Sequence, residues 1–131
     1  HKFPVRGPHE FDSAFAAMVK ERVGALAVVD DPMFINNPAV LAELAAKRRL
    51  PSIGPSEIAV AGGLMSYGVN FPGMFHRAAT FVDKILKGTK PGDIPIEQAT
   101  RFEMFVNLKT AKALGIKIPN SIMVRADKVI E

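Results

Sequence analysis

The chain has 131 residues, 48% hydrophobic and 23% charged, which suits one folded domain with a real core and excludes a disordered tail or a fibrous protein. Lys and Arg number 17 against 13 Asp and Glu, giving a formal charge of +4 and a pI near 9.6. The cations are dispersed; the densest run, Lys47-Arg48-Arg49, falls at a predicted helix end where it complements the dipole, so nucleic acid is not the expected partner.

Lys2-Phe3-Pro4-Val5-Arg6 reads as a short extended segment, turned by Gly7-Pro8. From Pro8 to Arg22, Phe11, Ala14, Phe15, Met18 and Val19 recur at helical spacing. Ala25-Leu26-Ala27-Val28-Val29 is a continuous apolar run stopped by Asp30-Asp31-Pro32, the pattern of a parallel strand buried on both faces. Asn37-Pro38 opens a helix to about Arg49 with Val40, Leu41, Leu44 and Ala45 inward. Ser52-Ile53-Gly54 is the next strand; the small residues Ala59 to Gly63, with Gly62-Gly63 as a flexible joint, lead into the extended Leu64 to Gly68.

A long helix is predicted over about Pro72 to Lys87, closed by Gly88 and Pro91, with Asp83 and Lys87 paired four apart. Pro95-Ile96-Glu97 and Phe102 to Val106 read as extended segments. Asn107 caps a helix from Leu108 to Leu114 that ends at Gly115, and an apolar tract runs from Ile118 to Ile130. Alternating strands and helices with short connections imply an α/β fold, a doubly wound parallel sheet with right-handed crossovers.

Ligands of such sheets bind beyond the carboxyl ends of the strands, where loops and helix N-termini converge. Three segments qualify: Asp30 to Asn37, Gly54 to Glu57, and Ser66 to Asn70. Asp30 and Asp31 beside Met33 and Phe34 could pair a carboxylate with a ligand amine against an apolar wall, or simply form an Asx turn. Ser66 and Tyr67 offer hydroxyls between small residues, and Tyr67 is the sole tyrosine.

Catalytic and metal chemistry find little footing. The chain has no cysteine, which excludes disulfides, thiolate ligands and a cysteine nucleophile. His1, His9 and His76 are far apart without metal-ligand spacing, and Gly62-Gly63 lacks the context of a phosphate loop. No catalytic residues, metal or cofactor are assigned. No apolar run reaches the roughly 18 residues of a membrane span, and the first residues lack a targeting pattern.

Several stretches carry a family resemblance: Val5-Arg6-Gly7-Pro8 before Glu10-Phe11-Asp12, Ala61 to Gly68, Arg77-Ala78-Ala79-Thr80-Phe81-Val82-Asp83-Lys84-Ile85-Leu86-Lys87-Gly88, and Asn107 to Gly115. Together, in this order, they resemble the ABC transporter substrate-binding proteins of the tryptophan- and tyrosine-binding type, with the type I periplasmic-binding-protein fold. The resemblance implies two α/β lobes that trap a small molecule between them, deliver it to an ABC permease, and change no bond in it. Residues 1–65 would then be the α/β part of the second lobe, 66–106 the hinge crossovers with a helix of the first lobe, and 107–131 the return to the second lobe.

Against that family, the signal peptide, the first lobe and the opening strand and helix of the second lobe are expected to lie outside this sequence. The ligand-facing residues expected are Asp31, Phe34, Ser56, Ser66 and Tyr67, and the solute class an aromatic amino acid or related organic acid. Localisation is expected to be periplasmic or extracellular, beside the transporter. A long helix lacking its lobe would expose apolar residues, so a homodimer or element swap through Phe75, Val82 and Ile85 is expected. The alternative function is the ligand-sensing effector domain of a regulator with the same fold.

Overall fold

The computed structural model describes residues 1–99 and 101–131. It contains a five-stranded sheet in chain order: β1 (Leu26–Ala27), β2 (Ser52–Gly54), β3 (Met65–Val69), β4 (Phe102–Asn107) and β5 (Lys128–Ile130). β1 pairs with β2, β2 with β3 and β4 with β5, all parallel. The helices are α1 (Phe11–Lys20), α2 (Pro32–Ile35), α3 (Pro38–Lys47), α4 (Ser56–Val60), α5 (Phe71–Leu86), α6 (Leu108–Leu114) and α7 (Asn120–Met123). The α/β class read from the sequence is the class observed.

Contacts divide the chain into two units, His1–Gly68 with Glu103–Glu131, and Val69–Phe102. The first holds the core. Phe11, Phe15 and Met18 of α1, Leu41, Leu44 and Ala45 of α3, Leu50, and Ile58 of α4 form one buried cluster. Burying side chains of this kind stabilises by about 1.5–3 kcal/mol each, before the entropy of ordering the chain is subtracted.

Both α1 and α3 end alike, and the sequence explains how. Arg22 and Arg49 take left-handed φ values of 56° and 52°. The next residues reach back, Val23 N–H to Met18 O at 3.0 Å and Leu50 N–H to Ala45 O at 2.9 Å, closing each helix and turning an apolar side chain inward. The basic run after α3 is more than a solvated end. Arg48 bonds Asp12 at 3.2 Å and lies 5.6 Å from the Phe15 ring, clamping α3 to α1.

Three sequence expectations need correction. The first apolar strand is not buried on both faces. Leu26 and Val28 turn to the core, whereas Val29, Ile53 and Tyr67 stand 65%, 40% and 54% exposed. The register pairs Ala27 with Ile53 and Ile53 with Met65, so these side chains share one face of the sheet. Helices α1, α3 and α4 pack on the other face; an apolar run reports burial only when both faces find a partner.

The second correction concerns Ser56–Val60, a helix that five residues are too short to announce by periodicity. The third follows from it: Gly62-Gly63 is not a loose joint. Gly62, at φ 118°, closes α4, and Gly63 N–H donates to Ile58 O at 2.7 Å. A Cβ on Gly63 would sit 2.6 Å from the Ile58 side chain and 2.8 Å from its carbonyl oxygen.

The chain re-enters this unit at Glu103, and Asn107 is found at the cap position read from the sequence. Its Oδ1 accepts from Thr110 N–H at 3.1 Å and caps α6, while its Nδ2 donates to Ala59 O at 3.0 Å. Asn107 N–H also donates to Leu64 O at 2.9 Å, and Thr110 Oγ1 to Gly62 O at 2.8 Å. Three of these hydrogen bonds, to Ala59, Leu64 and Gly62, thus fasten the returning strand and helix to the α4–β3 corner.

In the second unit, α5 is amphipathic yet none of its residues is buried. Phe75, Val82, Ile85 and Leu86 are 75%, 54%, 42% and 82% exposed. Asn70 caps the helix, Gly88 at φ 99° follows its end, and Lys87 pairs with Asp83 at 2.9 Å. Arg77 holds Glu97 through two hydrogen bonds of 2.9 and 2.7 Å. Those bonds first, and the charge with them, keep the Glu97 carboxyl below its ordinary range. Pro95–Glu97 lies outside any strand.

Candidate functional site

In the first unit, the parallel strands β1, β2 and β3 deliver their following loops to one end of the sheet. The register sets Gly54 level with Ser66, so Ser56 and Tyr67 both lie just past the end of β2. Asp31 follows β1 by four residues. Chain direction alone therefore brings three of the five expected residues, Asp31, Ser56 and Tyr67, to a common rim.

Asp31 caps α2, its Oδ1 accepting from Met33 N–H at 2.8 Å. The Asx-turn reading of Asp30-Asp31-Pro32 is thus realised. A carboxylate accepts up to about four hydrogen bonds, so this contact leaves capacity for a ligand amine. Ser56 opens α4 half-buried, and its hydroxyl donates to Glu57 Oε2 at 3.1 Å. Glu57 closes the candidate segment Gly54 to Glu57 but was not among the expected ligand-facing residues. With Asp30, Asp31 and Glu57 together, this rim is acidic on a chain that is basic overall.

The other two expected residues sit beneath the rim. Phe34 leans inward onto Phe11, ring centroids 5.9 Å apart, and packs against the core. Ser66 is 1% exposed, and its Oγ accepts from Phe105 N–H at 3.3 Å, joining β3 to β4. Period-two alternation accounts for this: Ser66 points into the core layer, so Tyr67 points to the open face. Both hydroxyls looked equally available in the sequence because alternation gives no sign of which face is covered.

Among the described residues, no group of three or more His, Asp or Glu is placed to hold a metal ion. No described helix is long and apolar enough to cross a membrane. The histidines stay apart, with His1 against Glu21 and His9 beside Glu10. The arrangement is suited to holding a polar group by charge and hydrogen bonds beside an aromatic ring.

Known proteins share the fold. A structure described as an ABC domain in complex with L-Trp, from Streptococcus pneumoniae, is 25% identical with a TM-score of 0.88, covering 99% of this chain and 45% of its own. A conserved domain protein of Vibrio cholerae is 22% identical with a TM-score of 0.85, covering 94% and 42%. The ligand-free, open structure of a Clostridium difficile substrate-binding protein with adhesive properties has a TM-score of 0.67 at 21% identity, covering 96% and 42%. An uncharacterized protein of Rickettsia prowazekii is 31% identical over 84 residues, 63% of this chain and 28% of the relative.

The chain therefore spans under half the length of these relatives. The family model described as ABC transporter substrate binding protein matches residues 2–130, and the chain belongs to that family.

Proposed function

We propose that this chain supplies one wall of the solute cleft of an ABC importer's binding protein, the opposite wall belonging to the rest of a two-lobed polypeptide. The observation that carries the reading is the shared rim of Asp31, Ser56 and Tyr67 past the ends of β1, β2 and β3. Asp31 receives the ammonium of the solute, the Ser56 hydroxyl bonds a polar group and Tyr67 lies against its body. Phe34 and Ser66 hold that wall from below. The match to the family over residues 2–130 favours this over the effector domain of a regulator.

The solute we favour is an amino acid with an aromatic side chain. The acidic rim suits an amine and Tyr67 suits a ring, and the L-Trp complex of the pneumococcal relative supports the same class. The protein works by binding and lobe closure, without catalysis, in the periplasm or at the outer cell surface, and hands its solute to a membrane permease. Thermal-shift screening of the two-lobed polypeptide against amino acids and aromatic carboxylates tests this. A true solute at about 100 times its Kd stabilises by about 2.7 kcal/mol, a rise of several degrees. No rise with any amino acid would remove the aromatic amino acid assignment.

On the same reading, α5 packs on the other lobe in the intact protein. The 131-residue chain alone is expected to cover Phe75, Val82 and Ile85 by self-association. Light scattering at high concentration should report a mass above the monomer that falls on the double change Phe75→Asp and Val82→Asp. A clean monomer throughout would refute it.

A further inference from the structure

A groove of about 390 Å³ runs along the seam between the end of α3 and α6, inside the unit His1–Gly68 with Glu103–Glu131. Its floor is apolar, with Ala45 and Leu50 on one side and Ala113 and Leu114 of α6 on the other. We propose that this groove is a second binding site, for a short aliphatic monocarboxylate, separate from the solute rim.

Its position is independent of the rim and of the chain's first residues. Ser52, in its lining, opens β2, whereas the rim lies past Gly54, the last residue of that strand. Ser52 and Gly54 are buried while Ile53 between them is exposed, so the groove lies on the face of the sheet that α3 covers. None of its lining residues belongs to His1–Val5, to β1 or to α5. Its walls are elements of one packed unit.

Three observations point to an anion with an apolar body. First, the charge is of one sign: Arg49 and Lys109 line the groove, no Asp or Glu does, and neither cationic group has an ion-pair or hydrogen-bond partner among the described residues. Second, Ser52 is 4% exposed, yet its hydroxyl has no hydrogen-bond partner among the described residues. Among them no fully buried polar side-chain atom lacks a partner, so this oxygen opens onto the groove. Thr110, the other hydroxyl, already donates to Gly62 O at 2.8 Å. The groups left over are thus a guanidinium, an ammonium and one hydroxyl, all donors, which an acceptor-only carboxylate satisfies. Third, the floor offers inorganic phosphate nothing, whereas an alkyl chain behind the carboxylate covers it.

The test follows backbone amide NMR signals of the 131-residue chain during titration with sodium hexanoate. Leu50, Ser52 and Thr110 should shift together and saturate by about 10 mM. Butanoate should bind about ten-fold more weakly for its two missing methylenes, and hexylammonium, of opposite charge, should leave the three signals in place. Arg49→Gly removes one cation at a φ of 52° that glycine adopts readily, so Tm should hold or rise while hexanoate binds about five-fold more weakly. Lys109→Gln, an exposed change on α6, should weaken it similarly and decides if Arg49→Gly fails to fold. Inorganic phosphate or hexylammonium binding as tightly as hexanoate, shifts confined to Asp31, Ser56 and Tyr67, unchanged affinity in both variants, or no saturation by about 10 mM would each overturn the proposal.

Discussion

Asn107→Ala is expected to destabilise the chain by about 3 kcal/mol, combining about 1 kcal/mol for the lost cap of α6 with about 2 kcal/mol for a buried carbonyl left without its donor. Asn107 is 4% exposed, and its two side-chain bonds serve different parts of the fold. One starts the helix that follows; the other reaches Ala59, 48 positions earlier in sequence. A capping role alone predicts that Asn107→Asp, which still accepts from Thr110 N–H, is nearly neutral. The double role predicts that it is harmful, because a carboxylate cannot donate to Ala59 O and would be buried beside it. Thermal denaturation separates the two, with Asn107→Ala lowering Tm by about 10 °C.

The second large effect is expected at Gly63→Ala, about 2–3 kcal/mol. The added methyl would meet the Ile58 side chain at 2.6 Å and the Ile58 carbonyl at 2.8 Å. Ile58 is 1% exposed in the core cluster, so neither it nor the last turn of α4 can retreat cheaply. The control is Gly24→Ala, where nothing lies within 4 Å of the new atom. Urea unfolding should show a fall in midpoint for Gly63→Ala and little change for Gly24→Ala. Equal midpoints would mean that the Gly62-Gly63 pair is the loose joint its composition suggested.

These two positions show how far the sequence could be read. Asn107 was legible as a cap because Asn before a helical pattern ending in Gly115 carries local chemistry. Its bond to Ala59 was not, since nothing local records a contact across 48 residues. Strand positions were recoverable from apolar runs and turn residues, and β2 falls on Ser52–Gly54 as read. The faces of the sheet were not recoverable. Leu26 and Val28 meet helices while Ala27 and Val29 do not, though all four are apolar.

The rim followed the same rule. Asp31, Ser56 and Tyr67 were legible because a parallel sheet sends successive loops to one end, which follows from strand order. Phe34 and Ser66 were placed there for their chemistry, but the core claims Phe34 through Phe11, and β4 claims Ser66 through Phe105. Arg48 likewise read as a solvated cation, and its clamp on Asp12 and Phe15 depends on how α3 packs against α1.

The central claim is that this rim holds a solute, and calorimetric titration of the two-lobed polypeptide with L-tryptophan and related amino acids tests it most directly. With a bound solute in hand, Asp31→Asn is expected to weaken affinity by about ten- to hundred-fold through the lost charge-assisted bond, with Tm of the unliganded protein nearly unchanged because an amide oxygen still caps α2, and Tyr67→Ala to weaken it by about ten-fold. Unaltered affinity in both variants, or chemical conversion of the solute by the wild-type protein, would contradict the account.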